Sequence, residues 1–137
     1  MSKSDKDFRS RIELTDTPEV IKEKVKKAVT DAQPSISYDS KTRPGISNLV
    51  DIHSACVNKL PEEIVEDCFL QGLNKSAYKD VVSDALIETL RPIREKYQEL
   101  VNDKAYLNKI ISESTLKANE IAAENYEQIR RLVGFEF

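Results

Sequence analysis

The chain has 137 residues, with 21 Lys and Arg against 24 Asp and Glu, a formal net charge of -3 and 39% apolar residues. That is one domain's worth of chain. With a mean hydropathy of -0.51 and no apolar run near the roughly 18 residues that a bilayer span needs, a transmembrane protein is excluded. Residues 1–11, MSKSDKDFRSR, alternate charges without an apolar centre, so neither a secretory leader nor an Arg-rich, acid-poor transit peptide is written there.

Cys56 and Cys68 stand twelve positions apart, and His53 is the single histidine. No usual zinc ligand set can be assembled from them, so no metal is expected, and the thiols read as reduced, small buried hydrophobes of an intracellular protein. Charge is uneven along the chain. Residues 1–45 hold ten Lys and Arg against eight Asp and Glu, and the other 92 hold eleven against sixteen. Lys22, Lys24, Lys26 and Lys27 carry the basic excess. They read first as a solvated helix face, with a polyanion contact as the alternative.

Three Gly and five Pro in the whole chain predict long helices with few tight turns. Thr17-Pro18-Glu19 is a helix start, with a hydroxyl cap, proline at the first helical position and an acid in the first turn. Ile21, Val25, Ala28 and Val29 follow at helical spacing until about Asp31. Residues 33–45 then read as an extended loop, long enough to suggest a functional surface or a lid. From Ile46, the series Leu49, Val50, His53, Cys56 and Val57 forms one apolar stripe. His53 on that stripe reads as a buried, hydrogen-bonded core residue in preference to a catalytic base.

A short helix is expected from Pro61, closed by Gly72. The longest segment runs from about 75 to about 101, capped by Asn74, with Tyr78, Val82, Ala85, Thr89, Ile93, Tyr97 and Leu100 on one side. Pro92 inside it predicts a kink or two helices meeting near Arg91. Asp103 opens another short helix through Ile111. A last helix begins after Ser114, presents Ala118, Ile121, Ala122, Asn125, Ile129, Leu132 and Val133, and stops at Gly134. The fold class is therefore all-α, a bundle of about five or six helices. Glu62 and Glu63 are adjacent and point different ways around a helix, which does not suit acid and base acting on one bond. No Ser-His-Asp arrangement, Gly-rich phosphate loop or H-E-x-x-H is present.

The first four residues carry a more specific signal. Met1-Ser2-Lys3-Ser4 resembles the last four positions of the Lys-Met-Ser-Lys-Ser loop of class I aminoacyl-tRNA synthetases. Ala28-Val29-Thr30-Asp31, Tyr38-Asp39, Arg43-Pro44-Gly45-Ile46-Ser47-Asn48-Leu49, Leu90-Arg91-Pro92-Ile93 and Leu132-Val133-Gly134-Phe135 follow it. In order and spacing they resemble the C-terminal part of bacterial and mitochondrial tryptophanyl-tRNA synthetases over essentially the whole chain. The segments at 28–31 and 44–49 point to the tryptophan enzymes over their tyrosine sisters.

The resemblance implies activation of tryptophan with ATP, normally accompanied by Mg2+, and transfer of the amino acid to tRNA(Trp). It divides the chain into a mobile ATP loop and connector at 1–16 and a helical tRNA anticodon-binding domain at 17–137. Met1, Ser2, Lys3 and Ser4 would bind ATP, and Lys3 would be the catalytic residue, its ammonium meeting the charge that grows on the departing pyrophosphate. The full-length enzyme would be a homodimer, with no membrane partner. Arg91, Arg94, Tyr97, Arg130 and Arg131 are candidates for RNA contact, none assigned to a base.

Departures from the family pattern accompany the matches. Lys6 follows Asp5 where a proline is common, and neither a His-Ile-Gly-His-type signature nor the parallel (Rossmann) sheet of the catalytic half appears. This chain alone is accordingly expected not to catalyse and to expose an apolar face. A different class of reading is a non-catalytic helical module that binds tRNA or a partner protein. The family type suggests the mitochondrial matrix, with bacterial cytoplasm as the alternative.

Overall fold

The structure is a computed structural model that describes residues 7–135. All its elements among those residues are helical: a single 3-10 turn at Phe8–Ser10, then α1 (Pro18–Lys27), α2 (Pro44–Val57), α3 (Pro61–Leu70), α4 (Lys75–Asn102) and α5 (Lys104–Leu132). The all-α expectation therefore holds, with five α-helices. Two compact units divide the chain, Met1–Glu95 and Lys96–Phe137.

α1 starts as expected, with the Thr17 hydroxyl accepting the Val20 N–H at 3.4 Å and Pro18 in the first turn. It ends at Lys27, earlier than the apolar spacing suggests. Ala28 already has extended backbone, and Val29 is 87% exposed. The stop comes from elsewhere in the fold. The Lys79 ammonium takes the carbonyls of Lys26 and Ala28 at 3.1 and 2.7 Å, satisfying acceptors that a further turn would have used.

α2 begins two residues before the expected Ile46, because Pro44 supplies the preset φ of a first helical position and Gly45 follows it inside the helix. Asn58 closes α2 in the left-handed region at φ 54. α3 ends on Gly72 at φ 62, where the N–H groups of Gly72 and Leu73 donate to Phe69 and Cys68 carbonyls. The same paired motif recurs at the end of α5, where Gly134 (φ 77) and Phe135 donate to Arg131 and Arg130.

α4 runs through Pro92 as one 28-residue helix, so two helices do not meet near Arg91. One missing ladder bond is survivable here because the amino half is fixed in the core by Tyr78, Val82 and Leu86. The short helix expected from Asp103 and the last helix expected after Ser114 are likewise one element of 29 residues. Asp103 caps it, accepting the Tyr106 N–H at 2.9 Å. Ser112, Ser114 and Thr115 do not interrupt it, since no Gly or Pro between 104 and 133 breaks the backbone ladder.

In the first unit Ile21 and Val25 of α1, Ile46, Leu49 and Val50 of α2, Ile64 and Cys68 of α3, and Tyr78, Val82 and Leu86 of α4 form one buried cluster. Cys68 is buried in it and Cys56 half-buried beside it, both free thiols. In the second unit, taken by itself, α5 buries no residue, and its apolar positions Ile121, Ile129 and Leu132 are exposed.

Gly45 lies close against the backbone that follows α1. A Cβ there would stand 2.4 Å from the Val29 carbonyl oxygen and 3.3 Å from Thr30 Cα. Both neighbours are backbone, so neither can swing aside. Gly45→Ala is expected to cost about 2 to 3 kcal/mol, read as a lower urea midpoint with an unchanged slope.

Candidate functional site

Physical chemistry is concentrated where the three segments before and at the start of α2 meet. The extended loop expected at 33–45 is tied down by side chains from both of its ends. Arg43, 6% exposed, reaches back to Asp31 with Nε on one carboxylate oxygen and Nη2 on the other, both at 2.9 Å. Its Nη1 donates to the Ser37 hydroxyl at 2.6 Å, and Nη2 also donates to the Ser35 carbonyl at 2.9 Å. A planar guanidinium with its donors in a fixed fork suits this bidentate role. The guanidinium beside it holds the Asp31 carboxyl well below its usual range, at about 2.

Asp39 secures the other end of the loop. Its carboxylate accepts the N–H groups of Lys41 and Thr42 and the Thr42 hydroxyl, while its own N–H donates to the buried Ser47 hydroxyl at 2.9 Å. The motif residues at 28–31, 38–39 and 43–49 thus form one interlocked structure. What they share is the joining of α1 to α2.

The segment following the first residues is fastened separately. The Lys24 ammonium, 5% exposed, pairs with Asp16 Oδ2 at 2.5 Å and lies 5.7 Å from the centre of the Phe8 ring. Arg94, also buried, donates to the Asp16 carbonyl at 3.3 Å. Lys24 is therefore no member of a solvated face, and Arg94 is buried against the Asp16 carbonyl. Sequence spacing gave no sign of either contact, because an isolated Lys or Arg in a helix reads as surface. Lys22 and Lys27 do lie on the surface, paired with Asp84 and Glu23.

Met1, Ser2, Lys3 and Ser4 lie outside the described residues. Of the remaining RNA candidates, Arg91 and Arg131 are exposed, Tyr97 is half exposed, and Arg130 stacks 5.8 Å from the Tyr126 ring while pairing with Glu127. Among the described residues, no group of three His, Cys, Asp or Glu side chains is spaced to hold a metal ion.

His53 is half-buried on α2, its ring centre 5.7 Å from that of the fully buried Tyr78. Its Nδ1 is buried without a hydrogen-bond partner, which corrects the expectation of a hydrogen-bonded histidine. Burial, aided by the Lys59 charge, lowers its pKa, and Asp67 opposes the shift. A histidine with a depressed folded pKa stabilises the fold above its unfolded value of about 6.5. That contribution is lost as pH falls beneath it. Unfolding free energy should thus drop between pH 6.5 and 5.5 with a slope of at most about 1.4 kcal/mol per pH unit, and His53→Phe should flatten that limb.

A family model described as tRNA synthetases class I (W and Y) matches residues 1–91. The chain belongs to this family. A tryptophan–tRNA ligase of Prochlorococcus marinus is 39% identical over 135 residues, covering 98% of this chain and 39% of that protein. One of Rickettsia conorii is 43% identical over 135 residues, covering 98% and 40%. The crystal structure of tryptophanyl-tRNA synthetase from Mycoplasma pneumoniae superposes with a TM-score of 0.61 at 26% identity, over 72% of this chain and 32% of that one. The chain spans about two fifths of the length of these curated relatives. Relatives at 35 to 43% identity include bacterial and mitochondrial tryptophan–tRNA ligases. No helix among the described residues is long and apolar enough to cross a membrane. In this chain the interlocked loop joins α1 to α2, and the Asp16 contacts with Lys24 and Arg94 hold the segment before α1 to the helical core.

Proposed function

We propose that this chain works in tryptophan–tRNA ligation, residues 1–16 serving as the ATP loop and its connector and residues 17–137 as the helical region that meets tRNA(Trp). The observation that carries this reading is the match of 135 residues, nearly the whole chain, to tryptophan–tRNA ligases. ATP, with Mg2+ as its counter-ion, and tryptophan are then the substrates of activation, and tRNA(Trp) is the acceptor. Met1, Ser2, Lys3 and Ser4 line the nucleotide, and the Lys3 ammonium faces the leaving pyrophosphate. The hydroxyls of Ser2 and Ser4 donate to phosphate oxygens. The assembled enzyme is a homodimer, and the mitochondrial matrix is its compartment.

The anchoring of the connector supports this assignment chemically. An ammonium contributes to a transition state only when it is positioned, since a group on a free end loses its advantage to orientation entropy. The Asp16 contacts with Lys24 and Arg94 supply a fixed point twelve or so residues from the loop. Differential binding of the transition state also requires groups around the α-phosphate and the amino acid. The test is to graft residues 1–137 in place of the matched region of the Rickettsia conorii enzyme and assay tryptophan-dependent ATP–pyrophosphate exchange. A graft that folds and supports exchange sustains the reading, and a folded graft without exchange refutes it.

A further inference from the structure

A recess of about 400 Å³ on the first unit is lined by Lys26, Thr30, Lys75, Ser76, Lys79 and Asp80. Three lysines line it with one carboxylate, and a second carboxylate, Asp31, stands 4.0 Å from the Lys75 ammonium. Two of the lysines are held in place by backbone: Lys79 Nζ on the carbonyls of Lys26 and Ala28, and Lys75 Nζ on the carbonyl of Asp31. An ammonium has three N–H donors, so both keep capacity for a further acceptor. Burial and the neighbouring Lys75 charge also lower the Lys79 pKa, the mark of like charges brought together.

The other exposed lysines of α1 are already neutralised, Lys22 by Asp84 and Lys27 by Glu23. Lys26 is exposed and borders the recess, and among the described residues no carboxylate pairs with it. Cations fixed in advance lose little side-chain entropy on meeting an anion, and an anion relieves their mutual repulsion. The lining includes no aromatic or aliphatic face on which a base could stack. Such a site reads charge and leaves base identity unread.

We propose that the recess seats a backbone phosphate of RNA, with Lys26, Lys75 and Lys79 as its cations and the Thr30 and Ser76 hydroxyls as further donors. This rests on the tRNA-meeting role proposed above and names the surface that performs it. The contact is a positioning one, independent of sequence.

The test is fluorescence anisotropy of a labelled tRNA(Trp) transcript binding to the 137-residue chain across a range of KCl. Each phosphate contact adds close to one unit to the slope of log affinity against log salt. Lys26→Gln and Lys79→Gln should each lower that slope by about one and weaken binding several-fold at low salt. Lys22→Gln, with the same change in net charge but outside the recess, should leave the slope unchanged. Lys79 also terminates α1, so Lys26→Gln, whose side chain is exposed, carries the decision if the Lys79 variant does not fold. Recess variants with an unaltered slope, or a Lys22 variant with the same loss, overturn the proposal while leaving tRNA binding intact. Inorganic phosphate that binds the recess, in a Lys26-dependent way, without displacing tRNA at constant ionic strength would assign the recess to a free anion and overturn it too. A chain that binds no tRNA at any salt refutes the tRNA-meeting role itself.

Discussion

Replacing Arg43 by alanine should lower the stability of the first unit by about 2 to 3 kcal/mol and its melting temperature by roughly 10 to 20 °C. The guanidinium satisfies the Asp31 carboxylate, the Ser37 hydroxyl and the Ser35 carbonyl at once. Its removal strips all of them. The loss falls short of the largest values for broken buried pairs because Asp31 is only partly covered and regains water. Acid sensitivity gives an independent readout. A carboxyl depressed to about 2 contributes stability that is present above its unfolded value of about 3.9 and fades as pH falls towards 2. The Arg43→Ala variant should lose that part of the acid limb. Thermal melts followed by circular dichroism at several pH values would show it, and a shift under 3 °C would contradict the stapling role.

The second large effect concerns Lys3. In the grafted enzyme, Lys3→Ala should reduce the turnover of ATP–pyrophosphate exchange by about 100- to 1,000-fold, the usual result of removing one preorganised electrostatic contact to developing charge. The KM for tryptophan should change little, because in the proposed role the ammonium meets the departing pyrophosphate and not the amino acid. Steady-state exchange at varied tryptophan and ATP separates the two. A loss below threefold, or one confined to the tryptophan KM, would remove Lys3 from the reaction.

The helices were readable wherever a local signal marked their ends. Thr17-Pro18, Pro61, Asn74, Gly72 and Gly134 each announced a terminus, and each terminus stands there. The errors arose where the decisive partner is distant. α1 stops early because Lys79, 51 residues from Ala28, takes its carbonyls. No spacing rule within α1 contains that fact. Pro92 and Ser114 suggested helix boundaries by local rules, and α4 and α5 run through them. Lys24 and Arg94 looked like surface cations for the same reason, since their common partner Asp16 lies in a segment with no periodicity.

For the site, the order of the motifs was legible and their work was not. Asp31, Asp39 and Arg43 were noticed as letters of a pattern. Only the folded loop shows that they hold one another. The lysine recess left a partial trace, since the basic excess of α1 included Lys26 but gave no hint of Lys75 and Lys79 beside it.

The Asp16 anchor has a consequence for the order of events during synthesis. Arg94 is encoded 78 residues after its acceptor, and a ribosome adding about 5 to 20 residues per second needs several seconds to cover that interval. The Asp16 carbonyl thus waits for its second partner until Arg94 has been made. Lys24, only eight residues downstream, provides a provisional hold from the moment α1 forms. The nascent chain carries a quick local clasp that a distant one later completes, and a codon-level slowing between the two would lengthen the half-fastened interval without altering the final fold.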